Sequence, residues 1–221
     1  MRTNQEYKNA ALDRLRGNWA PAVLATLIYV IIAFLIAGTM QVPALSPDWS
    51  DSAGLLFGFA GGGMLLELLV ILPLLVGLTN AIRLMYERRD YNVTGNMKDI
   101  ALSNYGHKVW GMFLYSLKIT LWSFLFLIPG IVMTFAYAMT PYILEEHPEI
   151  SAWDASARSR AMMKGHKFDL FYLYLSFIGW MLLAVLTAGI GFLWLSPYMD
   201  TAKAAFYNDL KAEQGESAVN E

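Results

Sequence analysis

The sequence predicts an all-α fold: a polytopic transmembrane helix bundle of about six spans, arranged as three helical hairpins with short interfacial helices. Three observations support this prediction. Hydrophobic residues make up 57% of the 221 residues and charged residues only 15%, whereas about 25% of a soluble domain is charged. The apolar residues are gathered into long blocks. Lys and Arg occupy the polar stretches between those blocks in an alternating pattern.

Four apolar blocks give the six spans. About 20 helical residues cross the hydrocarbon core of a bilayer, so the first two blocks predict one span each. The third block is too long for one crossing, and the turn signal Pro129-Gly130 near its middle divides it. The stretch 187–191, with its two glycines, divides the fourth block in the same way. The predicted spans, within a single membrane domain over 1–221, lie near residues 19–40, 58–82, 109–128, 131–144, 168–187 and 190–207.

The positions of Lys and Arg predict the orientation of the chain. With six crossings, every Lys and Arg except Lys118 falls on one side of the membrane. The positive-inside rule makes that side cytoplasmic, and both termini then lie inside. A single crossing of the last block would move only Lys203 and Lys211 to the other side, so the charge pattern leaves that alternative open.

Two copies of one tripeptide, Gly106-His107-Lys108 and Gly165-His166-Lys167, indicate an internal repeat. Each tripeptide opens an apolar span, and a breaking glycine follows at the same interval, Gly130 in the first case and Gly189 in the second. Gly17 precedes the first span in the same manner. We predict three copies of one unit, in the order interfacial helix, glycine, span, turn, span. Copies in parallel orientation predict a pseudo-threefold arrangement about the membrane normal.

The interfacial helices have recognisable start and stop signals. Thr3, Asn96 and Ser151 are each followed by an acidic residue three positions later and are expected to cap the helix starts. Gly17, Gly106 and Gly165 are expected to end these helices as left-handed residues.

Two charged residues fall inside predicted spans and are candidate intramembrane polar residues. Glu67 lies within the second apolar block. One interpretation is that its carboxylate contacts an ion or a substrate inside the membrane. The alternative is that the span starts late, near Gly61, which places Glu67 close to the outer interface. Lys118 lies well inside the third span, where its long stem can reach back toward the cytoplasmic surface. An ion pair between Glu67 and Lys118 is a further hypothesis.

Prolines and glycines within the apolar blocks are candidate hinges. Pro141 and Pro197 are expected to kink spans four and six, with the hydroxyls of Thr140 and Ser196 satisfying the freed carbonyls. The kinks would serve either as gating hinges or as static packing features. The full set of candidate hinges is Pro129, Gly130, Pro141, Gly189, Gly191 and Pro197. The pair Asp200 and Lys203 is expected to mark a solvated helix end.

The segment Ser151–Lys164 is a candidate lipid-binding surface. Trp153 lies on one helical face with Ala157 and Ala161, and the basic residues Arg158, Arg160 and Lys164 line the other. This pattern suits a helix lying on an anionic leaflet. A packed linker helix is the alternative.

No chemical motif accompanies these features. The sequence has no cysteine, and its net charge of -2 argues against a nucleic-acid partner. Its three histidines lack metal-ligand spacing, and no phosphate-binding or nucleophile motif is present, so we predict no cofactor. We expect a non-enzymatic envelope protein that acts through lipid or partner interaction. Its expected partners are the bilayer and, as alternatives, another membrane protein or a second copy of the chain. The alternatives are a small transporter or channel and, less favoured, an intramembrane enzyme that uses Glu67.

Several motifs in the second half of the chain resemble a bacterial membrane family, domain of unknown function 975. They are Ile128-Pro129-Gly130-Ile131, Thr140-Pro141-Tyr142-Ile143-Leu144, the stretches 159–167, 175–180 and 188–198, and Phe206-Tyr207. The N-terminal half resembles the family mainly in layout. A weaker resemblance extends to the membrane region of some glycerophosphodiester phosphodiesterases, whose catalytic domain is not found in this sequence. The resemblance implies a multi-pass protein of the bacterial cytoplasmic (inner) membrane, and it implies no activity and no functional residues.

Overall fold

The computed structural model describes residues 1–41, 65–88, 92–125 and 127–219, and every regular element in these ranges is helical, which confirms the all-α prediction. The helices are α1 (Asn4–Leu15), α2 (Trp19–Gln41), α3 (Leu72–Glu87), α4 (Val93–Leu102), α5 (Tyr105–Leu125), α6 (Leu127–Ala136), α7 (Thr140–Glu146), α8 (Ala152–Met162), α9 (Lys167–Leu175), α10 (Ile178–Leu186) and α11 (Phe192–Val219). A π-helical turn, Glu67–Ile71, leads directly into α3.

Helices α1, α4 and α8 occupy the positions of the three predicted interfacial helices and keep that name below. Two of their three predicted caps are confirmed. The Thr3 hydroxyl accepts the backbone N–H of Glu6, whose carboxylate accepts the N–H of Thr3. The Ser151 hydroxyl accepts the N–H of Asp154. The third cap was wrong: Asn96 lies inside α4, and Asn92 caps that helix by accepting the backbone N–H of Gly95 at 2.9 Å.

The predicted left-handed residues are also correct in two of three cases. Gly17 and Gly165 have φ angles of 86° and 94° and lie where α1 and α8 give way to the next helix. Gly106 is already inside α5, and Asn104 adopts the left-handed conformation instead, with φ at 46°. Asn tolerates this region because its short polar side chain can bond locally, so the tripeptide repeat did not fix the backbone repeat.

The helices on either side of residue 127 run antiparallel. Lys108 pairs with Glu145 at 2.5 Å, Gly111 approaches the side chain of Leu144, and the Lys118 ammonium lies 5.5 Å from the centre of the Tyr137 ring. The members of all three pairs are nearly equidistant in sequence from residue 127. Contacts of this pattern define a hairpin whose turn lies close to the predicted position.

The last two predicted spans pair in the same way. Phe177 and Tyr198 make an edge-to-face ring contact with centroids 5.0 Å apart, and an added Cβ on Gly191 would meet the backbone of Ala184. Gly189, with φ at 87°, stands at the turn. In the first unit, the start of the second predicted span, 58–64, lies outside the described residues.

Two of the predicted spans are broken, and side chains of the interfacial helices satisfy the broken backbone. Between α6 and α7, Ser159 of α8 accepts the N–H of Met139 at 3.2 Å and donates to the carbonyl of Ala136 at 3.0 Å. Between α9 and α10, Lys8 of α1 donates to the carbonyl of Ser176 at 2.9 Å. Buried backbone groups need such partners, so the interfacial helices make the breaks tolerable.

The three units pack in a cyclic order. We call α3, α7 and α11 the closing helices, because each ends the hairpin of its unit. Helix α4 packs on α3, α8 packs on α7, and α1 packs on α11, so each interfacial helix lies against the closing helix of the preceding unit. The contact of α1 with α11 joins the first unit to the last, which is the order that a pseudo-threefold arrangement requires.

Large apolar side chains cover much of the outer surface of the bundle. Phe34, Leu186 and Leu182 are 76%, 81% and 63% exposed. Two helical stretches, Trp19–Ala37 and Glu67–Glu87, are long and apolar enough to cross a membrane, and α9 with α10, bent by 41°, forms a third if the pair counts as one span. Length and composition of the described residues therefore support two or three spans and do not confirm the count of six.

Candidate functional site at the junction of the closing helices

The three closing helices meet in a cluster of charged and hydroxyl side chains, and each of the three units supplies at least one of them. Arg83 of α3 pairs with Glu146 of α7 at 2.6 Å. Lys211 of α11 pairs with the same carboxylate at 2.9 Å, and the Tyr207 hydroxyl donates to it at 2.7 Å. Glu87 adds a second carboxylate, 2.9 Å from Arg83. We call these five residues the ionic junction.

Arg83 is held deep in the bundle. Its side chain is 4% exposed, and its Nε donates to the side-chain oxygen of Asn80 at 3.1 Å. The Asn80 amide donates in turn to the carbonyl of Pro141 at 3.0 Å. A planar guanidinium with several fixed donors suits such a network better than an ammonium group would. Helix α3 is thus connected to α7 through the charge of Arg83 and through the bond from Asn80 to a backbone carbonyl.

Glu146 is the acceptor on which the junction converges. Burial of its carboxyl raises the pKa, but the hydrogen bonds from Lys211 and Tyr207 and the charge of Arg83 lower it by more, so the net pKa lies below the ordinary value of 4.5. The carboxylate is therefore charged at neutral pH. Removal of one partner of a buried pair leaves an uncompensated charge, which makes the junction a strong determinant of how the three units fit together.

A second polar group lies inside the bundle beside the junction. The Lys203 ammonium lies 5.3 Å from the centre of the Tyr142 ring, which stacks on Tyr207 with centroids 4.8 Å apart. Asp200 is half-buried and interacts electrostatically with Tyr29, Tyr142 and Lys203. The expected solvated helix end at Asp200 and Lys203 was therefore wrong, because α11 continues through the bundle instead of leaving it.

Some buried polar groups near this point have no partner. The hydroxyls of Tyr142 and Thr140 are fully buried and form no hydrogen bond with the part of the chain that the structure describes. The carboxylate of Asp200 forms no hydrogen bond or ion pair with the residues that the structure describes. The expectation that the Thr140 hydroxyl satisfies a carbonyl freed by Pro141 was wrong, since Pro141 lies in the first turn of α7 and interrupts no helix.

The two candidate intramembrane charges are not brought together. Glu67 is exposed in the π-helical turn, and its carboxylate makes no hydrogen bond or ion pair within the described ranges. The Lys118 ammonium instead lies 3.8 Å from the ring centre of Trp153. The hypothesis of a Glu67–Lys118 pair was wrong, because Lys118 extends toward α8 and is held there by the Trp153 and Tyr137 rings.

The candidate hinges differ in their backbone positions. Pro129 and Gly130 are helical and lie in the first half of α6, so neither forms the break between helices. Pro197 does lie inside a helix, and the Thr201 hydroxyl donates to its carbonyl at 2.6 Å. Gly189 and Gly191 occupy the turn before α11, where Gly191 also packs closely against Ala184.

The four candidate lipid-binding residues are all exposed, on α8 or just after it, but Arg158 has different surroundings from the other three. The buried face of α8 consists of Ala152, Ala155, Ser156, Ser159 and Met162. Trp153, Arg160 and Lys164 are exposed, and Arg160 interacts electrostatically with Lys118. Arg158 is exposed as well, but it borders a polar cavity that also contains part of the ionic junction.

Two cavities are relevant to ligand binding. The polar cavity has a volume of about 370 Å³, and its walls are formed by Glu146, His147, Arg158, Met162, Tyr207, Lys211, Gln214 and Gly215. An apolar groove of about 430 Å³ lies between α1, α2, α10 and α11, and three tryptophans, Trp19, Trp180 and Trp194, form much of its wall. Within the described ranges, no group of His, Asp or Glu side chains is arranged to hold a metal ion.

Sequence reasoning missed the ionic junction. Arg83, Lys211 and Glu146 were placed in polar segments next to spans, where charges are ordinarily solvated. One signal was present: Asn80 and Arg83 are three residues apart at the end of a long apolar block, which places two polar side chains on one helical face. Their partners come from other units and could not be identified from spacing.

The ionic junction lies within the range matched by a known family. A family model described as protein of unknown function (DUF975) matches residues 63–214. No curated protein and no solved structure matches the chain, so the weaker resemblance to the membrane region of glycerophosphodiester phosphodiesterases has no support from these comparisons. Because the matched range covers more than half of the sequence, the protein belongs to this family of proteins of unknown function.

Proposed function

We propose that this protein is a non-enzymatic, multi-pass protein of the bacterial cytoplasmic membrane that binds anionic lipid through the outer face of α8. The observation that carries the proposal is the position of the Lys118 ammonium, 3.8 Å from the ring centre of Trp153 and within electrostatic range of Arg160. An exposed indole beside two cations suits the headgroup region of an anionic leaflet, where the ring lies in the interface and the cations attract the phosphates.

Two further observations support the lipid proposal. Apolar side chains dominate the exposed surface of the hairpin helices, as expected for contact with acyl chains. The apolar groove beside α1 has a volume of about 430 Å³, and its tryptophans would contact lipid if the hairpins lie in the bilayer.

The proposed topology has six crossings with both termini in the cytoplasm. Arg2 pairs with Asp209 at 3.3 Å, and the Tyr7 hydroxyl donates to Asp209 at 2.9 Å. These contacts hold the N-terminus and the end of α11 at the same end of the bundle, which supports an even number of crossings. Reporter fusions at Asp51 and after Glu221 test the topology. A periplasmic signal from the C-terminal fusion would contradict it.

Lipid binding is tested with the purified full-length protein in nanodiscs of phosphatidylcholine with and without phosphatidylglycerol. We expect the wild type to enrich phosphatidylglycerol around itself, as measured by native mass spectrometry of the retained lipid. The double variant Trp153→Ala with Arg160→Gln should lose most of this enrichment. Lys98→Gln is the control, because it removes an exposed positive charge from α4 and touches neither the outer face of α8 nor the polar cavity. Equal losses in both variants would point to non-specific charge attraction and refute the proposal.

A small transporter or channel is the second candidate function. The buried hydroxyls of Thr140 and Tyr142 favour it, because they form no hydrogen bond with the described residues. Asp200, which interacts electrostatically with Tyr142, adds a carboxylate beside them. Polar groups in this position often contact a transported ion or a small solute. Potassium and proton flux into proteoliposomes tests this candidate: Asp200→Asn should reduce a wild-type flux, while the exposed Glu67→Gln should not. An intramembrane enzyme is not proposed, since the Glu67 side chain is exposed and forms no hydrogen bond or ion pair within the described ranges.

A further inference from the structure

The polar cavity at the ionic junction has the size and the lining of a small anion site. It lies between α7, α8 and α11 and has a volume of about 370 Å³, near the lower end for ligand pockets. Arg158 of α8 and Lys211 of α11 bring two positive charges to its wall. Gln214, about one helical turn beyond Lys211, also lines the cavity and adds amide donors.

The negative charge in the cavity is already matched. The Glu146 carboxylate accepts hydrogen bonds from Lys211, Tyr207 and Arg83, which lie on two other helices. With these partners satisfied, Glu146 positions the Lys211 ammonium and does not leave an open negative charge to repel an anion.

Arg158 is differently placed. Its guanidinium forms no hydrogen bond or ion pair with any described residue, although it interacts electrostatically with Glu149 and Tyr207. A guanidinium presents a planar set of donors that binds phosphate oxygens in a bidentate manner. Lys211 uses its contacts to the two oxygens of Glu146, at 2.9 and 3.0 Å, and as an ammonium it retains a third donor.

We propose that this cavity binds a small phosphate-bearing ligand, with Arg158 as the principal ligand-binding residue and Lys211 as the second cation. The cavity is separate from the lipid-binding face of α8, which presents Trp153 and Arg160 on the outside. The phosphate could belong to a soluble molecule or to a lipid headgroup, since both offer the same oxygens to Arg158.

The test uses full-length protein in phosphate-free detergent micelles, with thermal unfolding followed by intrinsic fluorescence during titration with inorganic phosphate. We expect a saturable rise in Tm, because a ligand that binds only the folded state stabilises it. Arg158→Gln should weaken the apparent affinity about tenfold, as expected for loss of one charge-assisted contact. Lys98→Gln, at an exposed cation of α4 that lines neither the cavity nor the outer face of α8, is the control and should retain the wild-type affinity. Because Arg158 is exposed, its variant should fold with the wild-type Tm when phosphate is absent.

Nanodiscs distinguish the two sources of phosphate. If phosphatidylglycerol in the nanodisc raises the Tm through Arg158 and abolishes the response to inorganic phosphate, the ligand is a headgroup. If inorganic phosphate still raises the Tm there, the ligand is soluble. The proposal is overturned if sodium chloride at matched ionic strength raises the Tm equally, if Lys98→Gln weakens binding as much as Arg158→Gln, or if neither phosphate nor phosphatidylglycerol has an effect.

Discussion

Arg83 and Glu146 form a 2.6 Å ion pair although 63 residues separate them in the chain. The Arg83 side chain is 4% exposed and that of Glu146 is 16% exposed. The pair joins the closing helices of the first and second units, and Lys211 and Tyr207 add the third. A single carboxylate thus connects all three repeats at one end of the bundle.

Replacement of this carboxylate should destabilise the fold strongly. Glu146→Gln leaves the buried Arg83 charge without its closest partner, and we expect a loss of about 3 kcal/mol in the free energy of unfolding. Chemical unfolding in detergent micelles measures it. Glu149→Gln, at a carboxylate whose side chain is 65% exposed, is the control and should cost less than about 1 kcal/mol. Comparable losses in both variants would show that the junction contributes little.

The low pKa of Glu146 predicts how stability depends on pH. Its folded pKa lies below the ordinary value of 4.5, so the unfolded chain binds the proton more readily than the folded one. The associated stabilisation is complete above the unfolded pKa and is lost as the pH falls through the folded pKa. Below pH 4.5 the Tm of the wild type should therefore fall more steeply than that of Glu146→Gln. Parallel curves for the two proteins would contradict this assignment.

Ser159 should matter more than its neighbour Ser156, although both are fully buried. The Ser159 hydroxyl bonds Met139 and Ala136 at the break between α6 and α7, and Ser159→Ala leaves both groups unpaired, at a cost of about 1–3 kcal/mol. The Ser156 hydroxyl donates only to the carbonyl of Ala152 within its own helix, so Ser156→Ala should cost less than about 0.5 kcal/mol. Thermal unfolding of the two variants provides the comparison, and equal costs would rule out a special role for Ser159 at the break.

The glycines of the two identical tripeptides should respond differently to alanine. Gly165 has φ at 94°, where a Cβ is strained, so Gly165→Ala should cost about 1–2 kcal/mol. Gly106 is helical with open space around its missing Cβ, and Gly106→Ala should be neutral or stabilise by about 0.5 kcal/mol. The Tm of each variant is the measurement. A similar loss of stability in both variants would show that the two glycines are equivalent, as the identical tripeptides suggest, and would contradict this prediction.

The sequence by itself determined the helical class, the approximate positions of the turns near residue 127 and at Gly189, and two of the three predicted helix caps. Long apolar blocks interrupted by turn-forming residues indicate where the chain reverses, because a helix that has crossed the apolar layer must turn before it can cross again. The observed turns lie close to Pro129-Gly130 and at Gly189. Caps such as Thr3 and Ser151 act over three residues and are therefore visible in sequence. The repeat was visible for the same local reason.

Only the tertiary structure decided which charges are paired and which helices are broken. Lys118 could have faced Glu67 or Trp153, and sequence spacing does not encode the direction in which a long side chain extends between packed helices. Arg83 finds Glu146 through the cyclic packing of the units, a relationship among three distant segments. The break after Ala136 persists because Ser159, from another helix, bonds the freed backbone. Such partners are chosen by packing in space, so the ionic junction and its cavity could be identified only once the units were assembled.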